Sequence, residues 1–311
     1  MNQDIARKER ITGTWYTIIS FASWGFLPLY WYFLKKVPAI EILGHRIFWS
    51  LIFSLLLLAV YGRLGSFKAA ILNRKTVQYV FITSMLISIN WFLYIWAINS
   101  GHVVETSLGY YITPLFNVLM GMIILKERLN FWQYVSLFLA AAGVAFATNE
   151  YGQIPWIALT LASTFSLYGL VKKLTHLDSI TALSLETFFV TPIALVYLTS
   201  RQINGTASLG LDFRTTVLLV LCGVVTAMPL IWFAEGAKRV PLSTVGFIQY
   251  VSPSLQLCLG ILVFKEPFTK TIAICFSLIW LALIVFTLSN TALLRRLQSG
   301  IFKKAESCET Q

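Results

Sequence analysis

Apolar residues occur along this chain in long unbroken blocks rather than at amphipathic intervals. Segments such as LIFSLLLLAVY are apolar on every face of a helix, whereas a membrane barrel strand would alternate apolar and polar residues. A helix needs about 20 apolar residues to cross roughly 30 Å of hydrocarbon. Ten blocks reach about that length: residues 13–34, 41–61, 77–99, 104–124 and 131–148, then 154–171, 181–199, 214–236, 242–263 and 270–289. The charged head MNQDIARKER leads into an apolar run too long for a signal-peptide core and without a small-x-small cleavage site, so that run is read as the first span. The expected fold class is an all-α integral membrane protein of ten transmembrane helices.

Composition excludes the alternatives. Of 311 residues, 57% are hydrophobic and 12% charged, with a mean hydropathy of +0.74. Soluble domains carry about 25% charged residues, so a water-soluble globule could not cover its surface. Nine prolines, 18 glycines and 15% aromatics are not a low-complexity composition. Lysine and arginine then set orientation. With the N-terminus cytoplasmic, the inner segments hold seventeen of them, from Arg7 to Lys304, and the outer segments six. Both termini are therefore expected inside. The net charge of +11 is accounted for by this topology and by anionic lipid, without nucleic acid. Cys222, Cys258 and Cys275 fall within spans and Cys308 in the tail, with no CxxC pair. His45, His102 and His176 are scattered, and neither HExxH nor a glycine-rich phosphate loop occurs. No enzyme activity, cofactor or metal is expected.

The chain also repeats itself. YYITPLFNVLMGMIILKE from Tyr110 aligns with QYVSPSLQLCLGILVFKE from Gln249. Tyr111 and Tyr250, Pro114 and Pro253, Gly121 and Gly260, Lys126 and Lys265, and Glu127 and Glu266 are each 139 residues apart. Earlier in each half Ala22-Ser23 meets Ala162-Ser163, and Arg46 faces Glu186. Five spans per half is an odd number, so the second half is expected upside down relative to the first. Secondary transporters are built from such inverted repeats, with substrate held near the midplane between the halves. The expected organisation is a tail at 1–12, repeats at 13–148 and 154–289, and a basic cytoplasmic tail at 290–311.

Ten spans in two halves, each with a proline-containing fourth helix followed by Lys-Glu, resemble the EamA branch of the drug/metabolite transporter superfamily over nearly the whole chain. Within that branch, Trp24-Gly25, Glu41 and His45-Arg46 resemble the RarD group. The resemblance implies a permease of small molecules in the bacterial inner membrane. The group is linked by name to chloramphenicol sensitivity, and no physiological substrate follows from it.

Charges inside spans are costly and so point to function. Arg46 and Glu186 each lie roughly 8 Å deep from opposite faces, at 1.5 Å per residue, too far apart for a direct salt bridge. Arg46 reads as a clamp for a carboxylate or other anion, or as a group that snorkels outward or pairs with Glu41. Glu186 reads as the proton-coupling candidate, or as a structural partner of Lys172 or Lys173. Glu235 reads as structural, with Lys238 within helical reach. Tyr110, Asn117 and Gly121 fall at helical spacing, as do Gln249, Gln256 and Gly260. Pro114 and Pro253 each remove a backbone hydrogen bond in mid-span. A site lined by Tyr110, Tyr111, Asn117, Gln249, Tyr250 and Gln256 follows, with interhelical hydrogen-bond glue as the alternative. Trp24 and Trp91 lie deep enough to wall a substrate pathway, while Trp15, Trp31, Trp132 and Trp156 read as an interfacial belt.

The reading is a secondary carrier exporting a small metabolite or drug-like compound by alternating access, with proton exchange as one driving force. An uncoupled facilitator or channel, or a receptor or scaffold without transport, remains as the alternative. The partners are a small-molecule substrate, the lipid bilayer and, at most, a second copy of the chain in a homodimer.

Overall fold

The structure is a computed structural model that describes residues 2–289 apart from 101, 153, 264 and 266–269. Glu266, Cys308 and the basic tail 290–311 lie outside the described residues. Among those described, all regular structure is helical. The helices are α1 (Asn2–Phe33), α2 (Ala39–Val60), α3 (Leu64–Leu72), α4 (Arg74–Asn99), α5 (Val103–Ile123), α6 (Phe131–Tyr151), α7 (Trp156–Leu174), α8 (Ser179–Ile203), α9 (Phe213–Arg239), α10 (Leu242–Gln249), α11 (Val251–Leu262) and α12 (Lys270–Leu288). Eight segments, with α10 and α11 taken together, are long and apolar enough to cross a membrane. Helices α1 and α5, which cover the other two expected spans, are not among the eight. The many Trp, Tyr, Ser and Thr residues of α1 after its charged start and the Tyr110, Thr113 and Asn117 stripe of α5 lower their mean hydropathy.

Helix ends follow local chemistry. Asn130 and Gln133 form a reciprocal capping box at the start of α6, and Gly152 closes that helix with φ 77°. Asp178 and Asp212 cap α8 and α9 by accepting from the backbone N–H groups of Thr181 and Thr215. The donors of Thr215 hold the Asp212 carboxyl below the usual carboxylate range. Lys173 donates to the carbonyls of Ala237 and Val240 at the end of α9.

Two elements differ from expectation. Helix α3 stands where a loop was expected; nine residues cannot span a membrane, and it packs Ala70 against Val80 and Leu185 instead. The ninth span is not one helix but breaks at Tyr250 into α10 and α11. Pro253 has no N–H for the carbonyl four residues earlier and its ring crowds that carbonyl, so the ladder fails at Gln249 rather than at the proline.

Packing is reciprocal between the halves. Helix α1 packs on α9 and α11, as α7 packs on α4 and α5. Helix α2 packs on α8 and α9, α4 on α8, α6 on α12, and α5 on α10. A central aromatic core of Phe21, Tyr168, Phe233 and neighbouring aliphatics joins α1, α7 and α9. Outward-facing Phe138, Ile193 and Val196 are at least 70% exposed, which suits contact with lipid. Lys126 and Lys265 both take the left-handed backbone, at φ 54° and 58°, where a side chain costs roughly 1–2 kcal/mol.

Candidate functional site

Helices α5 and α10 cross closely and then diverge. At the crossing, a side chain on Gly246 would place its Cβ 2.5 Å from the carbonyl oxygen of Pro114, so only glycine permits the approach. Beyond the crossing, toward the ends bearing Trp31 and Thr106, a cavity of about 180 Å³ opens. Helices α1, α2, α4 and α5 line it from the first half, and α7, α9, α10 and α11 from the second.

Among the described residues Arg46 is the charged side chain on the cavity wall. Its guanidinium lies 5.1 Å from the Trp31 ring and 5.1 Å from the Trp91 ring. Its Nε donates to Thr226 Oγ1 at 3.0 Å. Glu41, one turn earlier, does not pair with it. That carboxylate accepts from Ser208 Oγ at 3.0 Å and from the Ser208 backbone, and pairs with Arg201 at 3.4 Å. Trp24 and Phe165 form an edge-to-face wall 5.8 Å apart, and Tyr94 and Tyr110 another at 5.9 Å.

Of the residues read from the sequence, Arg46, Trp24, Trp91, Tyr110, Gln249, Gln256 and Pro253 line this cavity. Tyr111, Asn117, Tyr250 and Pro114 do not. Tyr111 packs edge-to-face on Phe276, and the Tyr250 hydroxyl donates to the Tyr111 carbonyl at 3.2 Å. Asn117 is buried at the crossing, where its amide donates to Gln249 Oε1 at 2.6 Å. Gln256 donates to the Trp24 carbonyl at 3.3 Å. Trp31 lines the cavity, while Trp15 and Trp156 are 60% and 51% exposed. Sequence reasoning also missed Tyr94, Phe165 and Thr226. Single aromatics or threonines within apolar blocks carry no signal there, although Thr226 sits one turn from Pro229.

Past the crossing the side chains are buried and packed, with ionic contacts among them. Glu127 returns to the start of α10, accepting from the Leu242 and Ser243 backbone at 2.7 and 2.9 Å and from Ser243 Oγ at 2.7 Å. The left-handed turn at Lys126 aims it there, and a Cβ on Gly121 would lie 2.7 Å from its carboxylate. Glu186 pairs with Lys172 at 2.8 Å, both almost fully buried, and accepts from the Tyr168 hydroxyl at 3.2 Å. Trp91 and Leu230 separate this pair from the cavity and also line a narrow void beside Glu186. Glu235 pairs with Arg239, not with Lys238, which instead reaches the Leu177 carbonyl and Ser179. Among the described residues no cluster of His, Cys, Asp and Glu could hold a metal ion.

Residues 11–149 and, separately, 154–288 match the EamA-like transporter family. An uncharacterized transporter, YojE, of Bacillus subtilis is 48% identical over 288 residues, covering 91% of this chain and 95% of its own. Protein RarD of Streptomyces exfoliatus is 38% identical over 283 residues, covering 91% of this chain and 90% of its own. A solved crystal structure with 18% identity superposes at a TM-score of 0.71, covering 91% of this chain and 99% of the other. At that identity the likeness concerns the fold alone.

Proposed function

The chain belongs to the EamA-like transporter family, and we propose on that premise that it is a secondary carrier working by alternating access. It exports a small molecule across the bacterial cytoplasmic membrane, with both termini inside. Residues 13–148 and 154–289 act as two inverted five-span repeats, flanked by tails at 1–12 and 290–311. The two separate family matches and the reciprocal helix contacts support that division.

The observation that carries the reading is a cavity walled by helices of both halves and closed on one side. An access path blocked at the Asn117–Gln249 bond and the Gly246–Pro114 crossing suits a carrier better than a channel, which needs continuity at both ends. Arg46, Trp24, Trp91, Tyr110, Gln249 and Gln256 are the groups that meet substrate. Asn117 belongs to the pathway as its floor, and Tyr111 and Tyr250 support the pathway from outside the cavity, beside Pro114 and Pro253. Glu186, with Lys172, is the proton-coupling group, since a buried acid–base pair beneath the cavity is where a proton could be held.

The test is counterflow in proteoliposomes with a panel of labelled metabolites, with and without an imposed pH gradient. Saturable exchange of one solute class, accelerated by the gradient and made indifferent to it by Glu186→Gln, is the expected result. Unsaturable conduction would replace the carrier with a channel, and unchanged gradient dependence in Glu186→Gln would remove that residue from coupling.

A further inference from the structure

Resting on the reading of the central cavity as the substrate site, we propose that the substrate is a small organic monoanion. It carries a carboxylate on a flat apolar or aromatic body, seated with its charge on Arg46.

Three features of the cavity converge on this class. The first is an uncompensated cation. Among the described residues no carboxylate pairs with Arg46, and the buried or half-buried acids of the spans have other partners. Glu41 is held by Arg201 and Ser208, Glu186 by Lys172, and Glu235 by Arg239. A cation in a low-dielectric wall is costly unless something neutralises it, and a bound anion does so.

The second is direction. Indole rings of Trp31 and Trp91 cover the guanidinium, each 5.1 Å away, and Nε is committed to Thr226. Ring faces satisfy the cation's charge but not its in-plane N–H donors. Among the described residues those donors meet no protein acceptor. What remains open is the planar fork that a carboxylate fits with two parallel hydrogen bonds. One such fork balances one negative charge, which favours a monoanion over a phosphate dianion.

The third is what the walls lack. Among the described residues the cavity lining contains no aspartate or glutamate, so an ammonium group would meet no counter-charge from them. Zwitterionic amino acids and cationic drugs are therefore disfavoured relative to simple carboxylates. Trp24, Phe165, Tyr94 and Tyr110 supply an aromatic surface for the body of the molecule. The volume of about 180 Å³ slightly exceeds an apolar cavity of about 150 Å³ known to admit benzene, so a one-ring body fits.

Trp31 and Trp91 make the site report on itself. The purified full chain in lipid nanodiscs is titrated by intrinsic tryptophan fluorescence with phenylacetate, phenylacetamide, phenethylamine and phenylalanine, which share a ring and differ in charge. Phenylacetate is expected to give a saturable change at about tenfold or more lower concentration than the amide, as a charge-assisted bidentate contact allows. Arg46→Gln is expected to bring phenylacetate to the level of the amide, and Arg46→Lys to fall between, because it keeps the charge and loses the fork. Retained amide binding in Arg46→Gln separates loss of the clamp from loss of the fold. Amide, amine or zwitterion binding as tight as the carboxylate overturns the proposal, as does the absence of a saturable response to phenylacetate at millimolar concentration. Counterflow of the amide or amine in its place leaves the carrier standing and the anion class overturned. Saturable phenylacetate binding that Arg46→Gln abolishes, without phenylacetate counterflow, supports the anion site while removing the carrier reading.

Discussion

Two contacts that the internal repeat makes equivalent stand in opposite conditions. Asn117 and Gln249 are hydrogen-bonded at 2.6 Å at the closed side of the cavity. Their counterparts 139 residues away, Gln256 and Tyr110, both line the open cavity and share no hydrogen bond among the described residues. Gln256 turns to the Trp24 carbonyl, and Tyr110 to the Tyr94 ring. The repeat keeps a polar residue at each of these positions, Asn117 against Gln256 and Tyr110 against Gln249, and the structure makes the contact once and not twice. A carrier that exposes one site to two sides in turn requires this: a contact made in one half and unmade in the other, with little free energy between the two arrangements.

The closed side should therefore tolerate substitution far less than the open side. The largest effect is expected at the buried ion pair. Lys172→Met leaves the buried Glu186 without its cation, at a cost of about 3–5 kcal/mol, read as a fall in the melting temperature of the purified protein. The double variant Lys172→Met/Glu186→Leu should recover most of that loss, since apolar replacement of a buried pair is often neutral. A double variant as unstable as the single one breaks the ion-pair account. Next comes Glu127→Ala, which strips three donors at the start of α10 of their acceptor. Bonds to charged groups are worth about 1.5–3 kcal/mol each before relaxation and water make up part of the loss, so a net cost of about 2–3 kcal/mol is expected in the same assay.

The comparison sharpens with the amide pair itself. Asn117→Ala orphans a buried Gln249 carbonyl and should cost about 1–2 kcal/mol. Gln256→Ala, on the cavity wall, should cost less than about 1 kcal/mol. Equal losses would mean that the two sides do not differ as described. At the rim of the closed side the effect is modest: Asp178→Ala removes the cap of α8 and a half-exposed ion pair with Arg63, worth about 1 kcal/mol.

Much of the architecture was legible because the bilayer enforces it. A spanning helix must be a long apolar block, and ten such blocks were visible; eight stand as candidate spans by length and composition. Charged and amide side chains inside those blocks were equally visible, and Arg46, Gln249 and Gln256 do reach one cavity. What stayed hidden depends on relations across the fold. Trp31 lies near a helix end and looks interfacial until the cavity is seen to extend that far. Asn117 and Tyr111 sit on the same helix as Tyr110 but point to the crossing and to α12, because α5 is surrounded by partners rather than facing a single space. The break at Tyr250 falls before Pro253 because a proline disturbs the turn that precedes it. Glu235 has two basic neighbours at helical reach, and which one it takes is decided by Leu177 and Ser179, which hold Lys238 away.

The most direct test of alternation is thiol cross-linking in membranes with a short bifunctional reagent. Two variants are compared, Asn117→Cys/Gln249→Cys and Tyr110→Cys/Gln256→Cys, in a background without other cysteines. The account predicts that both pairs cross-link, that substrate shifts their rates in opposite directions, and that either cross-link stops counterflow until the reagent is cleaved. Failure of the Tyr110→Cys/Gln256→Cys pair ever to cross-link, or undiminished counterflow with Asn117→Cys/Gln249→Cys locked, would contradict it.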